Sequence, residues 1–212
     1  MIGIQAMTYL NLLFRGYRKL KKETLRLYST QVTKILFKLN GVSIPRNFCS
    51  NGVPMINNAG RMEVGNSFKI NNGNYFNKIG RQGVCIFNVG ESGFLHIGKN
   101  VGMSSTAIVC RERIRIGDDV LIGGNTVIYD TDFHSKNPET RKGIKNNSNN
   151  SKRKEEVIIG DNVFIGAHTT ILKGVHIGKN SLIGAGAVVT RNIPSNEIWA
   201  GNPASFIKDI PY

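Results

Sequence analysis

The residues best able to do chemistry fall in one short run, Tyr129-Asp130-Thr131-Asp132-Phe133-His134-Ser135. Imidazole is the side chain suited to take and return a proton near neutral pH, and a carboxylate beside it fixes its tautomer and supports its charged form. Asp132 lies two residues from His134, on the same side of an extended chain. His134 therefore reads as a general base. His96 and His176 each precede an aliphatic position, and His168 follows Ile165-Gly166. No two histidines have close ligand spacing, so no metal site is expected. Cys49, Cys85 and Cys110 are odd in number and widely spaced, which gives neither a disulfide framework nor a zinc pattern and suits a reduced, cytoplasmic protein.

The elements that must hold this run repeat every six residues. Ile159, Ile165, Ile171, Ile177, Ile183 and Val189 keep the step without a slip, and small or β-branched residues stand four positions after each. The same frame runs through Ile97, Met103 and Val109, then Ile116, Ile122 and Ile128. A period of six is neither helical nor simple strand alternation. It fits short strands joined by tight turns, three to a coil, with Gly, Asn or Asp where a turn needs positive φ. This is the hexapeptide β-helix among repeat architectures. Val64, Ile70 and Phe76 also keep the step, and Ile79 lies eighteen residues before Ile97, so the prism is expected to begin near residues 45–60. Val109 to Ile116 is one residue too long, which implies a bulge beside Cys110 and Arg111.

The frame stops at Ile128 and resumes at Ile159. The intervening chain has no apolar periodicity and is expected to project as a loop over 133–156, where solenoids carry function. His134 stands where the last regular rung gives way. Asp132 occupies a slot that most other rungs fill with Val, Thr, Ser or Ala, a local violation of the kind found at functional sites.

Charge marks two further regions. The chain of 212 residues has 28 Lys and Arg against 14 Asp and Glu, a net +14 that favours anionic partners. Residues 1–40 hold eight of the basic residues against Glu23, and a second basic cluster lies between Ser135 and Glu156. Neither is a recognised nucleic-acid motif. In the first region Leu10, Leu13, Phe14, Tyr17, Leu20, Leu27, Tyr28, Ile35 and Leu39 mostly follow three- and four-residue steps. One or two amphipathic helices are expected over 1–44, packed on the prism or a neighbouring subunit, or resting on anionic lipid. The uncharged stretch at the start is too short to span a bilayer and carries its basic residues in the wrong order for a secretory signal. The remainder, 45–212, reads as one domain closed by a cap over 195–212.

Ile116-Gly117-Asp118-Asp119-Val120-Leu121-Ile122-Gly123, Asp130-Thr131-Asp132-Phe133-His134, Gly184-Ala185-Gly186-Ala187-Val188-Val189-Thr190 and the closing Gly201-Asn202-Pro203-Ala204 stand in an order that resembles the hexapeptide-repeat acyltransferases. The branch is that of the maltose and galactoside O-acetyltransferases and polysaccharide O-acetyltransferases. The resemblance covers about residues 97–210. It implies an all-β fold, a left-handed parallel β-helix, assembled as a homotrimer with acetyl-CoA and acceptor meeting between adjacent prisms. It implies that His134 is the base, oriented by Asp132 or Asp130. It places pantetheine along Gly166, Ala167, Gly184 and Ala185, and the nucleotide end near Thr190 and Arg191. Lys173 and Arg191 could meet the CoA phosphates by charge. Phe164 stands where many sugar-modifying members carry Trp, and Arg111 stands in the stretch where relatives hold the acceptor, so simple-sugar substrates do not carry over. The reading is an O-acetyltransferase of a saccharide, a surface polysaccharide unit or its precursor. The alternatives are N-acetylation of an amino sugar nucleotide and a non-catalytic assembly protein.

Overall fold

The computed structural model of the chain describes residues 2–79, 83–136, 138, 142 and 155–211. Among these, nineteen short strands form three sheets of eight, six and five strands, which are the three faces of a prism. Consecutive rungs step from face to face, as in Leu121–Ile122 on the first, Val127–Tyr129 on the second and Val157–Ile159 on the third. Apart from the antiparallel Ser205–Asp209 at the end of the eight-stranded sheet, pairing within each face is parallel, so aliphatic residues stack directly over one another from coil to coil. Met103, Ile122, Ile165 and Ile183 align on the first face. Ile108, in place of the expected Val109 (which pairs with Tyr129), aligns with Ile128, Ile171 and Val189 on the second, and Ile97, Ile116, Ile159 and Ile177 align on the third. All twelve are buried. Each column is a continuous apolar stack, and each side chain in it contributes roughly 1.5–3 kcal/mol by leaving water.

The turns explain the polar half of the repeat. Asn100, Asp119, Asn162, Asn180 and Asn196 have φ between 54° and 66° at one corner of successive coils. Asn and Asp tolerate this left-handed backbone because their side chains bond locally. Here they also join coil to coil: Asn100 Nδ2 donates to Asp119 Oδ1 at 2.7 Å, and Asn180 Nδ2 to Asn196 Oδ1 at 2.7 Å.

The expected insertion replaces a single turn. Val127–Tyr129 and Val157–Ile159 are consecutive rungs, with no missing coils between them. The Glu155 N–H donates to the Asp130 carbonyl at 2.9 Å, so the chain leaves the prism after Asp130 and rejoins it at Glu155, two residues earlier at each end than expected. Most of the second basic cluster and the Asn-rich run fall in 139–141 and 143–154, outside the described residues. An earlier interruption overturns part of the frame reading. Ile70 is buried as expected, but Phe76 belongs to a one-turn helix, α2 (Gly73–Phe76), and Ile79 is exposed with its side chain against Gly124.

The N-terminal region is one helix, α1 (Ile2–Leu39), and its packing face is not the apolar stripe. Leu10, Leu13, Phe14, Tyr17, Leu20, Leu27, Tyr28, Ile35 and Leu39 are all exposed, whereas Ser29, Thr33 and Phe37 are buried. The reason is the surface the helix covers. The open end of a parallel coil presents unpaired backbone groups that need partners. Ser29 and Thr30 hydroxyls donate to the Ser50 carbonyl at 2.7 and 3.1 Å, and the Ser50 N–H donates to Thr30 Oγ1 at 3.0 Å. Phe37 then closes the apolar interior, 5.8 Å by ring centroids from both Phe48 and Phe87. The opposite end is covered by the antiparallel pair Glu197–Ala200 and Ser205–Asp209.

Candidate active site

The corner between the second and third faces gathers most of the charged residues singled out from the sequence. Asp130 ends a second-face rung and is fully buried. Its carboxylate accepts the Arg111 N–H at 2.8 and 2.9 Å and the Glu112 N–H at 2.7 Å. The bulge between Val109 and Ile116 is thus closed by a carboxylate from the next coil. That carboxylate is committed to the backbone, and the geometry gives it this structural task instead of orienting His134. It also faces Cys110, whose thiol pKa is pushed up, first by burial and then by the Asp130 charge.

Asp132 lies just beyond, with Oδ2 at 3.7 Å from Lys173 Nζ and 3.6 Å from Lys136 Nζ. Lys173 comes from the next coil and also meets Glu155 Oε1 at 3.3 Å. Its side chain is only 11% exposed, so its ammonium serves as an internal counter-ion to the two carboxylates where the insertion begins and ends. That differs from its expected place on CoA phosphates. Glu155 escaped the sequence reading, and its only signal was an acid at the point where the frame resumes. His134 is exposed and has no hydrogen-bond partner among the described residues, Asp132 included. Its neighbour Phe133 is held edge-to-face on Tyr129 at 5.1 Å, which anchors the segment while leaving the imidazole open.

Arg191 and Thr190 are exposed at this same corner, after the rung Val188–Val189. Arg111 is here too, its Nη1 donating to Asn88 Oδ1 at 3.1 Å. Phe164 is not. It is half exposed on the outside of the first face, in register with Leu121 and Leu182.

Gly166, Ala167, Gly184 and Ala185 form a separate corner, between the first and second faces. Here successive coils approach so closely that a side chain would collide. A Cβ on Gly123 would meet the Ala167 backbone, one on Gly166 the Ala185 backbone, and one on Gly184 the Ala200 Cβ at 2.7 Å. Packing alone therefore requires small residues, and it leaves a smooth edge on which Ala185 is exposed. His168 joins this edge at φ 62°, in the slot that Asn125 fills one coil earlier at φ 57°. Its Nδ1 is buried without a hydrogen-bond partner among the described residues.

The fold thus brings His134, Asp132, Lys173, Thr190, Arg191 and Arg111 to one corner and the small-residue edge to another. Among the described residues, no group of three His, Cys, Asp or Glu is placed to hold a metal ion.

Residues 113–128 and 156–191 match the hexapeptide repeat of succinyl-transferase. These two segments carry the hexapeptide repeat on which the prism is built. Over 117 residues this hexapeptide-repeat protein is 40% identical to galactoside O-acetyltransferase of Escherichia coli, covering 55% of this chain and 54% of the relative. Galactoside O-acetyltransferase of Lactococcus lactis is 41% identical over 90 residues, 42% of this chain and 40% of the relative. The hexapeptide-repeat protein therefore spans about half, or less, of the length of the curated relatives it matches. Among solved structures, a mutant of AntD, an N-acyltransferase from Bacillus cereus in complex with dTDP and Coenzyme A, is similar with a TM-score of 0.61 and 26% identity. That likeness covers 78% of this chain and 82% of the other. The fold is the left-handed parallel β-helix that the family resemblance implied, with α1 and the inserted segment added to it.

Proposed function

We propose that the protein is an acetyl-CoA-dependent O-acetyltransferase acting on a saccharide, a surface polysaccharide unit or its precursor, with His134 as general base. The observation that carries this reading is the imidazole of His134, exposed and without a hydrogen-bond partner among the described residues, in a chain 40% identical over 117 residues to a galactoside O-acetyltransferase. In the ternary complex His134 takes the proton of the acceptor hydroxyl as its oxygen attacks the thioester carbonyl. The tetrahedral oxyanion is held by backbone N–H groups, the C–S bond breaks, and the imidazolium returns its proton to the departing CoA thiolate. The ester and CoA–SH leave, and no acyl-enzyme forms.

The two corners supply a reason for a trimer. Within one chain the second face separates His134 from the small-residue edge. Side by side, the His134 corner of one prism meets the Gly166–Ala185 edge of its neighbour, and pantetheine lies between them with Arg191 near its nucleotide end. Asp132 and Lys173 act as positioning residues for the His134 segment. Phe164 and Arg111 are proposed to limit the acceptor.

The work is placed at the cytoplasmic face of a membrane. Helical spacing sets Leu13, Tyr17, Leu20 and Ile35 opposite the prism-facing Ser29, Thr33 and Phe37. With a net +7 over residues 1–40, that exposed apolar side suits an anionic bilayer surface. Among the described residues no helix is long and apolar enough to cross one.

The likeness to AntD favours a second reading, N-acylation of an amino sugar nucleotide. The test is a screen of saccharides and amino sugar nucleotides for acceptor-dependent release of CoA thiol. O-transfer predicts turnover with hydroxyl-only acceptors that falls roughly 10²–10⁴-fold in His134→Ala. Turnover confined to amine acceptors supports the second reading, and turnover untouched by His134→Ala overturns the assigned base.

A further inference from the structure

Away from the candidate active site, an open cleft of about 570 Å³ lies between α1 and the segment carrying α2. One wall is the prism side of α1, where three- and four-residue spacing aligns Arg15, Arg18, Lys19 and Lys22. Lys78 faces them from the other wall. Tyr75 and Phe76 complete the lining, their rings edge-to-face at 5.0 Å. Among the described residues none of the five cations is ion-paired. The one acid of residues 1–40, Glu23, is bridged to Arg26 outside the cleft.

Five like charges around one open space repel each other unless an anion enters. The protein nevertheless fixes the two walls relative to each other. From α1, Ser29 is buried and receives the Gly52 N–H at 3.1 Å. The Gly52 carbonyl accepts from Asn72 Nδ2 at 3.2 Å, and Asn72 Oδ1 accepts the Cys85 N–H at 2.7 Å. Asn72, which precedes α2, is almost fully buried. Asn77 follows it, and its Nδ2 donates to Ser105 Oγ at 2.8 Å, which holds the backbone from which Lys78 extends. Gly52 permits the junction, since at φ 79° a Cβ would lie 2.6 Å from the Asn72 carbonyl. A buried polar network therefore pre-sets the spacing of the cations, and preorganisation of this kind lowers the cost of binding.

We propose that this cleft binds a diphosphate-bearing ligand, with its phosphoryl oxygens on Arg15, Lys19, Lys22 and Lys78 and its organic part on Tyr75 and Phe76. Guanidinium and ammonium groups together match a multiply charged phosphoryl group. The volume lies within the range of about 300–1,000 Å³ usual for small-molecule sites. Diphosphates occur both in soluble nucleotides and in lipid headgroups. The cleft opens on the prism side of α1, away from the exposed apolar side, so a bilayer lying on that side does not reach it. That placement favours the soluble source, and the inference does not rest on the transferase reading.

The test is calorimetry with inorganic pyrophosphate and with UDP, with saturating CoA present so that any CoA site is already filled. Phosphatidylcholine vesicles with and without phosphatidic acid, assayed by sedimentation, form the lipid arm. The variants are Arg15→Gln/Lys19→Gln/Lys22→Gln, Lys78→Gln on the opposite wall, and a charge-matched control, Lys99→Gln/Lys179→Gln/Lys208→Gln. Circular dichroism checks that each is folded. The proposal predicts saturable binding of UDP, tighter than of pyrophosphate, weakened at least tenfold by the triple cleft variant and several-fold by Lys78→Gln. The control should stay within twofold. Cleft-dependent binding to phosphatidic acid vesicles alone would keep the site and assign the lipid source. Equal loss in the cleft and control variants, or no saturable binding to any probe, would overturn it.

Discussion

At the scale of single residues, the carboxylates near His134 divide by what they touch. Asp130 is buried and accepts N–H groups from both Arg111 and Glu112, so its removal strands donors in the interior. Asp130→Ala is expected to cost roughly 3 kcal/mol in urea unfolding while acetyl-CoA affinity in the folded fraction is retained. A variant as stable as the parent would contradict this structural role. Lys173 bridges Asp132 and Glu155, the ground for its proposed role in positioning the His134 segment. Lys173→Met should therefore lower turnover while leaving the dissociation constant for acetyl-CoA within about twofold. A tenfold or greater weakening would restore the phosphate contact suggested by charge alone. His134 stood out in the sequence because imidazole at a break in the frame has no packing reason to be there, and its side chain is exposed in the structure. The fate of Asp130 was not, because its partners are backbone groups on the preceding coil, and only the parallel register brings them near.

At the scale of elements, the rungs were legible because each spends one buried aliphatic on a shared column, so the period is written directly in the sequence. Phe76 and Ile79 kept or approached the step and still lie outside the columns, because an insertion carries apolar residues of its own: Phe76 sits in α2 beside Tyr75, and Ile79 lies against Gly124 on the prism exterior. The apolar stripe of α1 misled for a different reason. The coil end it covers needs hydroxyl partners for the backbone of Ser50, so Ser29 and Thr30 face inward and the larger apolar residues face out. Phe37 is the apolar anchor of that contact, and Phe37→Ala is expected to cost about 3–5 kcal/mol, read as a shift in the urea midpoint. Leu13→Asp/Leu20→Asp should leave stability unchanged and abolish sedimentation with anionic vesicles at low salt. Retained sedimentation, or dissociation of the oligomer, would show that the apolar side of α1 meets something other than lipid.

At the scale of the whole molecule, the continuous core makes stability sensitive to alkaline pH through its buried thiols. Burial pushes the Cys85 pKa from an ordinary 9.0 up to about 12. The unfolded thiol ionises near 9.0 while the folded one keeps its proton, so the folded state binds more protons between those values. Stability is accordingly unaffected below about pH 9 and falls as pH rises above it, by up to about 2 kcal/mol from Cys85 by pH 10.5. Unfolding at pH 8 and pH 10.5 checks this, and Cys85→Ala should reduce the difference, leaving the part carried by Cys110. The assembly carries the larger claim, that two corners distant within one chain meet between chains to hold acetyl-CoA beside His134. The most direct measurement is a calorimetric titration of acetyl-CoA into the purified protein, beside His134→Ala and Arg191→Ala. The account predicts micromolar binding, roughly −8 kcal/mol, retained in His134→Ala and weakened in Arg191→Ala. A folded oligomer that binds no acetyl-CoA would contradict the transferase reading and leave a β-helix that serves assembly alone.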